Sequence, residues 1–152
     1  VTDGKHVYTT GGYPKNHIAA VRADGSGEVA WESKTRVYVP SMLMHNGRLY
    51  AVADAGVAMC LDAATGEELW KARLGGTFSS SPVLVGERIY VTDEKGATSV
   101  FKARPDEFEL LGKSQLGDEV IATPTFVDGR IYYRAAVQND GQRQEFLYCL
   151  GE

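Results

Sequence analysis

Three observations predict an all-β repeat fold. Segments of one pattern recur along the chain: Gly4-Lys5-His6-Val7-Tyr8, Gly47-Arg48-Leu49-Tyr50, Glu87-Arg88-Ile89-Tyr90 and Gly129-Arg130-Ile131-Tyr132. Their tyrosines stand 42, 40 and 42 residues apart. The pieces are short, rich in β-branched and aromatic residues, and punctuated by Gly, Pro, Asn and Asp, which is the composition of strands and tight turns. No window of a dozen residues keeps an apolar stripe of helical period. Four short strands in about 40–42 residues is the size of one β-propeller blade. A blade exposes two apolar faces and must stack on others to bury them. The expectation is therefore a propeller arc of about four four-stranded antiparallel blades, two complete and two partial. It forms one domain over residues 1–152, with repeats near 1–38, 39–76, 77–119 and 120–152.

The elements follow in order. The first repeat opens at Val7–Thr9, turns at Gly11-Gly12, runs on through His17–Val21, turns at Gly27 and reaches Trp31. The second comprises Pro40–Met44, Gly47–Tyr50, the turn Asp54-Ala55-Gly56, Val57–Leu61, and the step from Gly66 to Trp70. The third has Ser81–Val85, Arg88–Thr92, the turn Asp93-Glu94-Lys95-Gly96 and Thr98–Phe101, then a stretch to Leu111 without Gly or Trp. The fourth has Thr123–Val127, Gly129–Tyr132, the turn Asn139-Asp140-Gly141 and Phe146–Leu150. With strands named a to d from the centre outward, the chain opens on a strand b and closes on a strand c. That makes fourteen strands where four full blades need sixteen. An arc with two uncovered ends is expected to self-associate, and light scattering at micromolar concentration tests this.

Composition bounds the function. The 152 residues carry 16 Lys+Arg against 20 Asp+Glu, net −4, and are 43% hydrophobic. That suits a folded domain with a real core and argues against nucleic acid as partner. The longest apolar run, Val57–Leu61, falls far short of the roughly 18 residues a membrane helix needs. Cys60 and Cys149 match no disulfide framework or zinc spacing, and both read as small buried core residues. His6, His17 and His45 are scattered without ligand spacing, so no metal site is expected. Phe78-Ser79-Ser80-Ser81-Pro82 lacks the nucleophile elbow and a neighbouring base. Asp118-Glu119 and Glu67-Glu68 read as solvated pairs, and no catalytic residue emerges. Val1-Thr2-Asp3-Gly4 has neither the basic start nor the apolar stretch of a signal peptide, and the chain reads as cut from something longer.

Leu61-Asp62-Ala63-Ala64-Thr65-Gly66-Glu67-Glu68-Leu69-Trp70 carries a resemblance. It is similar to the quinoprotein-type (PQQ-like) β-propeller repeat through Asp62, Thr65, Gly66 and Trp70. Ala23-Asp24-Gly25-Ser26-Gly27-Glu28-Val29-Ala30-Trp31 matches with its Asp one place late. The pattern has a physical logic: Gly27 and Gly66 permit a tight turn, Asp62 and Thr65 can satisfy open turn amides, and Trp31 and Trp70 can lay a flat ring on the next blade.

The resemblance implies the C-terminal portion of a seven- or eight-bladed ring. One branch of the family binds pyrroloquinoline quinone (PQQ) and Ca²⁺ and oxidises alcohols or sugars. The other keeps the ring without cofactor, as in scaffolds of bacterial outer-membrane assembly. The dehydrogenases typically carry an adjacent Cys-Cys pair, which is absent here. The expectation is a non-catalytic scaffold that binds a protein partner or ligand, without cofactor, in the periplasm or outside the cell. The alternative is part of a PQQ- and Ca-dependent quinoprotein dehydrogenase. Loops entering the inner strands form the candidate binding surface: Arg36 and Tyr38, then Phe78, Ser79 and Ser80, then Asp118 and Glu119.

Overall fold

A computed structural model describes residues 1–151. It is all β: fourteen strands in four separate antiparallel sheets. β1 (His6–Gly11), β2 (His17–Arg22) and β3 (Val29–Ser33) make the first sheet; β4 (Leu43–His45), β5 (Arg48–Ala53), β6 (Val57–Asp62) and β7 (Glu68–Arg73) make the second. The third holds β8 (Val83–Val85), β9 (Arg88–Thr92), β10 (Ala97–Lys102) and β11 (Leu110–Gln115). The fourth holds β12 (Thr125–Val127), β13 (Arg130–Asn139) and β14 (Gln142–Leu150). Every strand pairs with its sequence neighbour, as short hairpin connections dictate.

The first sheet differs from expectation at its edge. The Val1 ammonium donates to Tyr8 O (3.0 Å), Tyr8 N donates back to Val1 O (2.8 Å), and Thr2 bridges Val7. The opening residues thus lie where β4, β8 and β12 lie in the other sheets. Asp3 makes this turn by accepting the amides of Lys5 and His6 (2.8 and 2.6 Å) and the Tyr8 hydroxyl (2.8 Å). Those donors, the His6 amide foremost, hold its carboxyl well below the usual range.

The outer ladders share one irregularity. Register shifts between Ala20 and Val21, between Cys60 and Leu61, and between Val100 and Phe101. Just beside the shift, Trp31 pairs with Ala20 and Trp70 with Cys60, whereas Val100 meets Gly112. A bulge re-aims its strand. In the first two sheets it accompanies an indole that reaches the sheet that follows.

The core lies between sheets. Tyr8, Ile18 and Ala20 of the first pack with Leu49, Ala51, Met59 and Leu61 of the second. Tyr50, Val52, Ala58, Cys60 and Trp70 of the second pack with Ile89, Val91 and Phe101 of the third. The last junction is thinner, built on Val120, Tyr133 and Ala135. There Gly112 stands in the tryptophan position, and Leu150 is 37% exposed where its counterparts Leu61 and Phe101 are each 1% exposed.

The two thiols part company. Cys60 is buried between the second and third sheets, and burial pushes its thiol up to about 11. Cys149 is exposed, contrary to the expectation of a core position, because β14 is an edge strand. An aromatic disulfide reagent at neutral pH is therefore expected to titrate one thiol in the folded chain and both after denaturation. Two fast thiols in the folded chain would contradict the placement of Cys60.

Candidate functional site

Three connections return the chain from the outer edge of one sheet to the short first strand of the next: residues 34–42, 74–82 and 116–124. The second and third run past the β-turn of the sheet they have just left, and the second also meets that of the sheet it enters. Phe78 N donates to Asp54 O (3.0 Å), Val120 N to Glu94 O (2.9 Å), and Glu94 N to Thr77 O (2.7 Å). Val37, Phe78 and Val120 lie near the middle of their connections and are 0%, 2% and 1% exposed. Sequence reasoning passed over Val37 and Val120. Val120 stands 42 residues after Phe78, the offset of Tyr132 from Tyr90, so spacing could have marked it; Val37 stands one place before the residue in register with Phe78, which is Tyr38.

The structure divides the candidate binding residues. Phe78 and Ser80 do not belong to an exposed surface. Phe78 packs in the core between the second and third sheets, and Ser80, 0% exposed, donates its hydroxyl to Thr92 O (2.6 Å). The reason is the crossing itself: side chains beneath the connection meet the neighbouring sheet. Arg36 and Tyr38 remain exposed, with Arg36 paired to Asp54 (3.2 Å) and the Tyr38 ring lying over Gly12. Ser79 donates to Glu94 Oε1 (2.6 Å). Asp118 accepts Gln138 N (2.8 Å), while Glu119 takes a two-point contact from Arg143 (2.7 and 3.2 Å). That guanidinium holds the Glu119 carboxyl below the usual carboxylate range. Glu145 joins Arg143 (2.7 Å) and Arg134, so Glu119 is tied into a charged network rather than simply solvated, while Asp118 holds a main-chain amide.

Val39 and Ile121 add exposed apolar area to the same connections, at 52% and 54% exposure beside Tyr38 at 55%. Where the chain enters the short strands, Ser41 N donates to Ser81 Oγ and Ser81 N to Thr123 Oγ1, each at 2.9 Å. A main-chain donor in one repeat and a hydroxyl in the next thus link three connections that are 40 and 42 residues apart. This ladder and the buried plugs hold the exposed side chains on a rigid frame.

The repeat-motif residues sit at the opposite turns. Asp62 Oδ1 accepts Ala64 N (3.0 Å), Thr65 N (3.1 Å) and Thr65 Oγ1 (3.2 Å), and its other oxygen takes Arg48 (2.6 Å). Trp31 Nε1 donates to Ala63 O (2.9 Å), and its ring lies where a Cβ on Gly66 would come within 2.5 Å. Gly66 also has φ +76°, so only glycine fits there without strain. Gly27, at φ +74°, has open space around it. Trp70 Nε1 donates to Arg104 O (2.8 Å), and its ring meets Phe108 and Phe101 edge-on at 5.4 and 6.2 Å. In the third repeat, Lys102 and Arg104 pair with Glu109 (2.8 and 3.0 Å) where the Asp-Thr-Gly turn is missing.

The donor set does not fit a quinone-plus-calcium pocket. The cysteines lie on β6 and β14, one buried and one exposed, and no group of three or more His, Cys, Asp or Glu gathers among the described residues. His6 sits 3.3 Å from Asp3 in the opening turn.

A family model described as the outer membrane protein assembly factor BamB matches residues 14–105. Two similar proteins carry that same name. One, from Legionella pneumophila, is 32% identical over 109 residues, covering 71% of this chain and 27% of its own length. The other, from Alkalilimnicola ehrlichii, is 28% identical over 120 residues, covering 78% and 30%. The chain thus spans under a third of these relatives. Among solved structures, BamB from Moraxella catarrhalis shares the fold at TM-score 0.69 and 16% identity, over 89% of this chain and 38% of that one. A quinohemoprotein alcohol dehydrogenase from Comamonas testosteroni does so at TM-score 0.73 and 14% identity, over 90% and 28%. Both likenesses concern the fold alone. With the fold and the family model in agreement, the chain belongs to the PQQ-like β-propeller repeat family, that of the outer membrane protein assembly factor BamB.

Proposed function

We propose that this segment serves a non-catalytic propeller scaffold that binds a protein partner during outer-membrane protein assembly, on the periplasmic side of that membrane. One observation carries the reading: Tyr38, Val39 and Ile121 are held exposed on connections anchored by buried plugs. Rigid frames carry binding residues on such loops, and an aromatic beside an arginine is the composition of an interface centre. Arg36, Tyr38, Ser79, Asp118 and Glu119 form this surface. Asp62, Thr65, Gly66, Gly27, Trp31 and Trp70 keep the sheets docked.

The test is complementation with the full parent chain in cells lacking their own BamB. Wild type is expected to restore outer-membrane barrel proteins, and Arg36→Glu with Tyr38→Asp to lose most of that restoration at unchanged protein level. Failure of the wild type, or full restoration by the double variant, overturns the reading. Added pyrroloquinoline quinone with Ca²⁺ is expected to leave the melting temperature unchanged, and a saturable rise would favour the dehydrogenase.

The isolated segment is expected to self-associate through the β14 side, where Leu147 is 73% exposed. Sedimentation should show dimers or larger at micromolar concentration, shifting toward monomer in Leu147→Glu. A wild-type monomer there would contradict this.

A further inference from the structure

The first inter-sheet junction is open where the other two are filled. Four residues after Trp70 comes Leu74, 8% exposed in the core between the second and third sheets; four after Gly112 comes Leu116, packed at the last junction. The residue four after Trp31 is Thr35, whose hydroxyl turns back to Ser33 Oγ (2.9 Å). The cross-sheet lysine differs as well. Lys113 reaches back to Leu74 O (2.8 Å), whereas its counterpart Lys71 pairs with Glu68 of its own strand (3.1 Å). What remains is a cleft of about 530 Å³ between residues 33–36 and the second sheet.

Cations outnumber carboxylates in its lining. Lys34, Arg36 and Lys71 line it against a single carboxylate, Asp54, in a chain whose net charge is −4. Arg36 is paired with that carboxylate (3.2 Å) and Lys71 with Glu68 (3.1 Å), while Lys34 has no ion-pair partner among the described residues. Ala53, Val57 and Met59 supply an apolar floor. Lys34 also borders a second hollow of about 690 Å³, lined by Lys15 and Glu32, and each hollow is far larger than one small anion. Cations spaced along an apolar floor match a ligand with spaced carboxylates and apolar groups between them.

Building on the scaffold reading, we propose that this cleft takes an extended acidic peptide segment of the protein partner. Its carboxylates meet Lys34, Arg36 and Lys71, and its apolar side chains lie on Ala53 and Val57. Thr35 is what leaves the room for it.

The experiment is a titration of the folded chain with an end-capped peptide of alternating Glu and Leu, followed by backbone amide shifts at low salt. Saturable shifts are expected at Ser33–Arg36, Ala53–Val57 and Lys71, weakening steeply as salt rises. Lys34→Glu with Lys71→Glu should weaken binding about tenfold or more. Thr35→Leu keeps every charge and restores the leucine of the other junctions; it should abolish the shifts while leaving the melting temperature equal or higher. Lys5→Glu, away from the cleft, should change neither. The proposal is overturned by absence of saturable shifts, by unchanged affinity in the charge-reversed or Thr35→Leu chains, or by equally tight binding of inorganic phosphate or a single-stranded oligonucleotide. The outcome separates from that of complementation. A parent chain that restores assembly but ignores the peptide loses this proposal alone. One that binds the peptide without restoring assembly loses the scaffold role alone.

Discussion

Replacing Trp70 by alanine is expected to destabilise the chain by about 3–5 kcal/mol, the usual loss for a large buried aromatic. Domains of this size are commonly stable by about 5–15 kcal/mol, so the loss is a large fraction of the whole. Trp70 is 8% exposed, meets Tyr50, Phe101 and Phe108, and donates its indole N–H to Arg104 O at 2.8 Å. It therefore joins the second and third sheets by both area and a hydrogen bond. Trp70→Phe should retain most of the area and lose the bond, at about 1–2 kcal/mol. Trp31, only partly buried, should matter less. Guanidinium unfolding followed by circular dichroism measures all three. A Trp70→Ala loss below about 1 kcal/mol would falsify the view that this ring holds the two sheets together.

Phe78→Ala is expected to cost about 3–4 kcal/mol, while Tyr38→Ala stays within about 0.5 kcal/mol. The two aromatics sit on equivalent connections, yet Phe78 is 2% exposed and Tyr38 is 55% exposed. Phe78 fills the space under its connection among Leu74, Ile89 and Val91, and truncation leaves a cavity the anchored backbone cannot close. The opposite ranking in thermal or denaturant unfolding would return Phe78 to the surface that the sequence suggests for it.

The sheets were legible for a physical reason. Strand period, turn glycines and a tyrosine every 40–42 residues are local features, readable from neighbours along the chain. The grouping of strands by three, four, four and three follows from the short hairpins joining them. Binding-surface residues were legible only in part. Of Arg36-Val37-Tyr38-Val39 only Val37 is buried, and nothing local distinguishes the exposed three from the buried Phe78 and Ser80. Cys149 misled for a related reason: Phe146-Leu147-Tyr148-Cys149-Leu150 is as apolar as the segment around Cys60, but no strand pairs β14 on its outer edge.

The sequence by itself therefore determined an all-β arc of four repeats, because strand formation depends on side chains a few residues apart. Tertiary structure alone decided which side chains those repeats bury. It seals the second junction with Leu74 and Phe78 and leaves the first open at Thr35. It also joins Ser41 to Ser81 and Ser81 to Thr123 across whole repeats. Burial, an open cleft and a bond between repeats each depend on which sheet lies opposite. That arrangement is a relation between segments about 40 residues apart, and no local pattern encodes it.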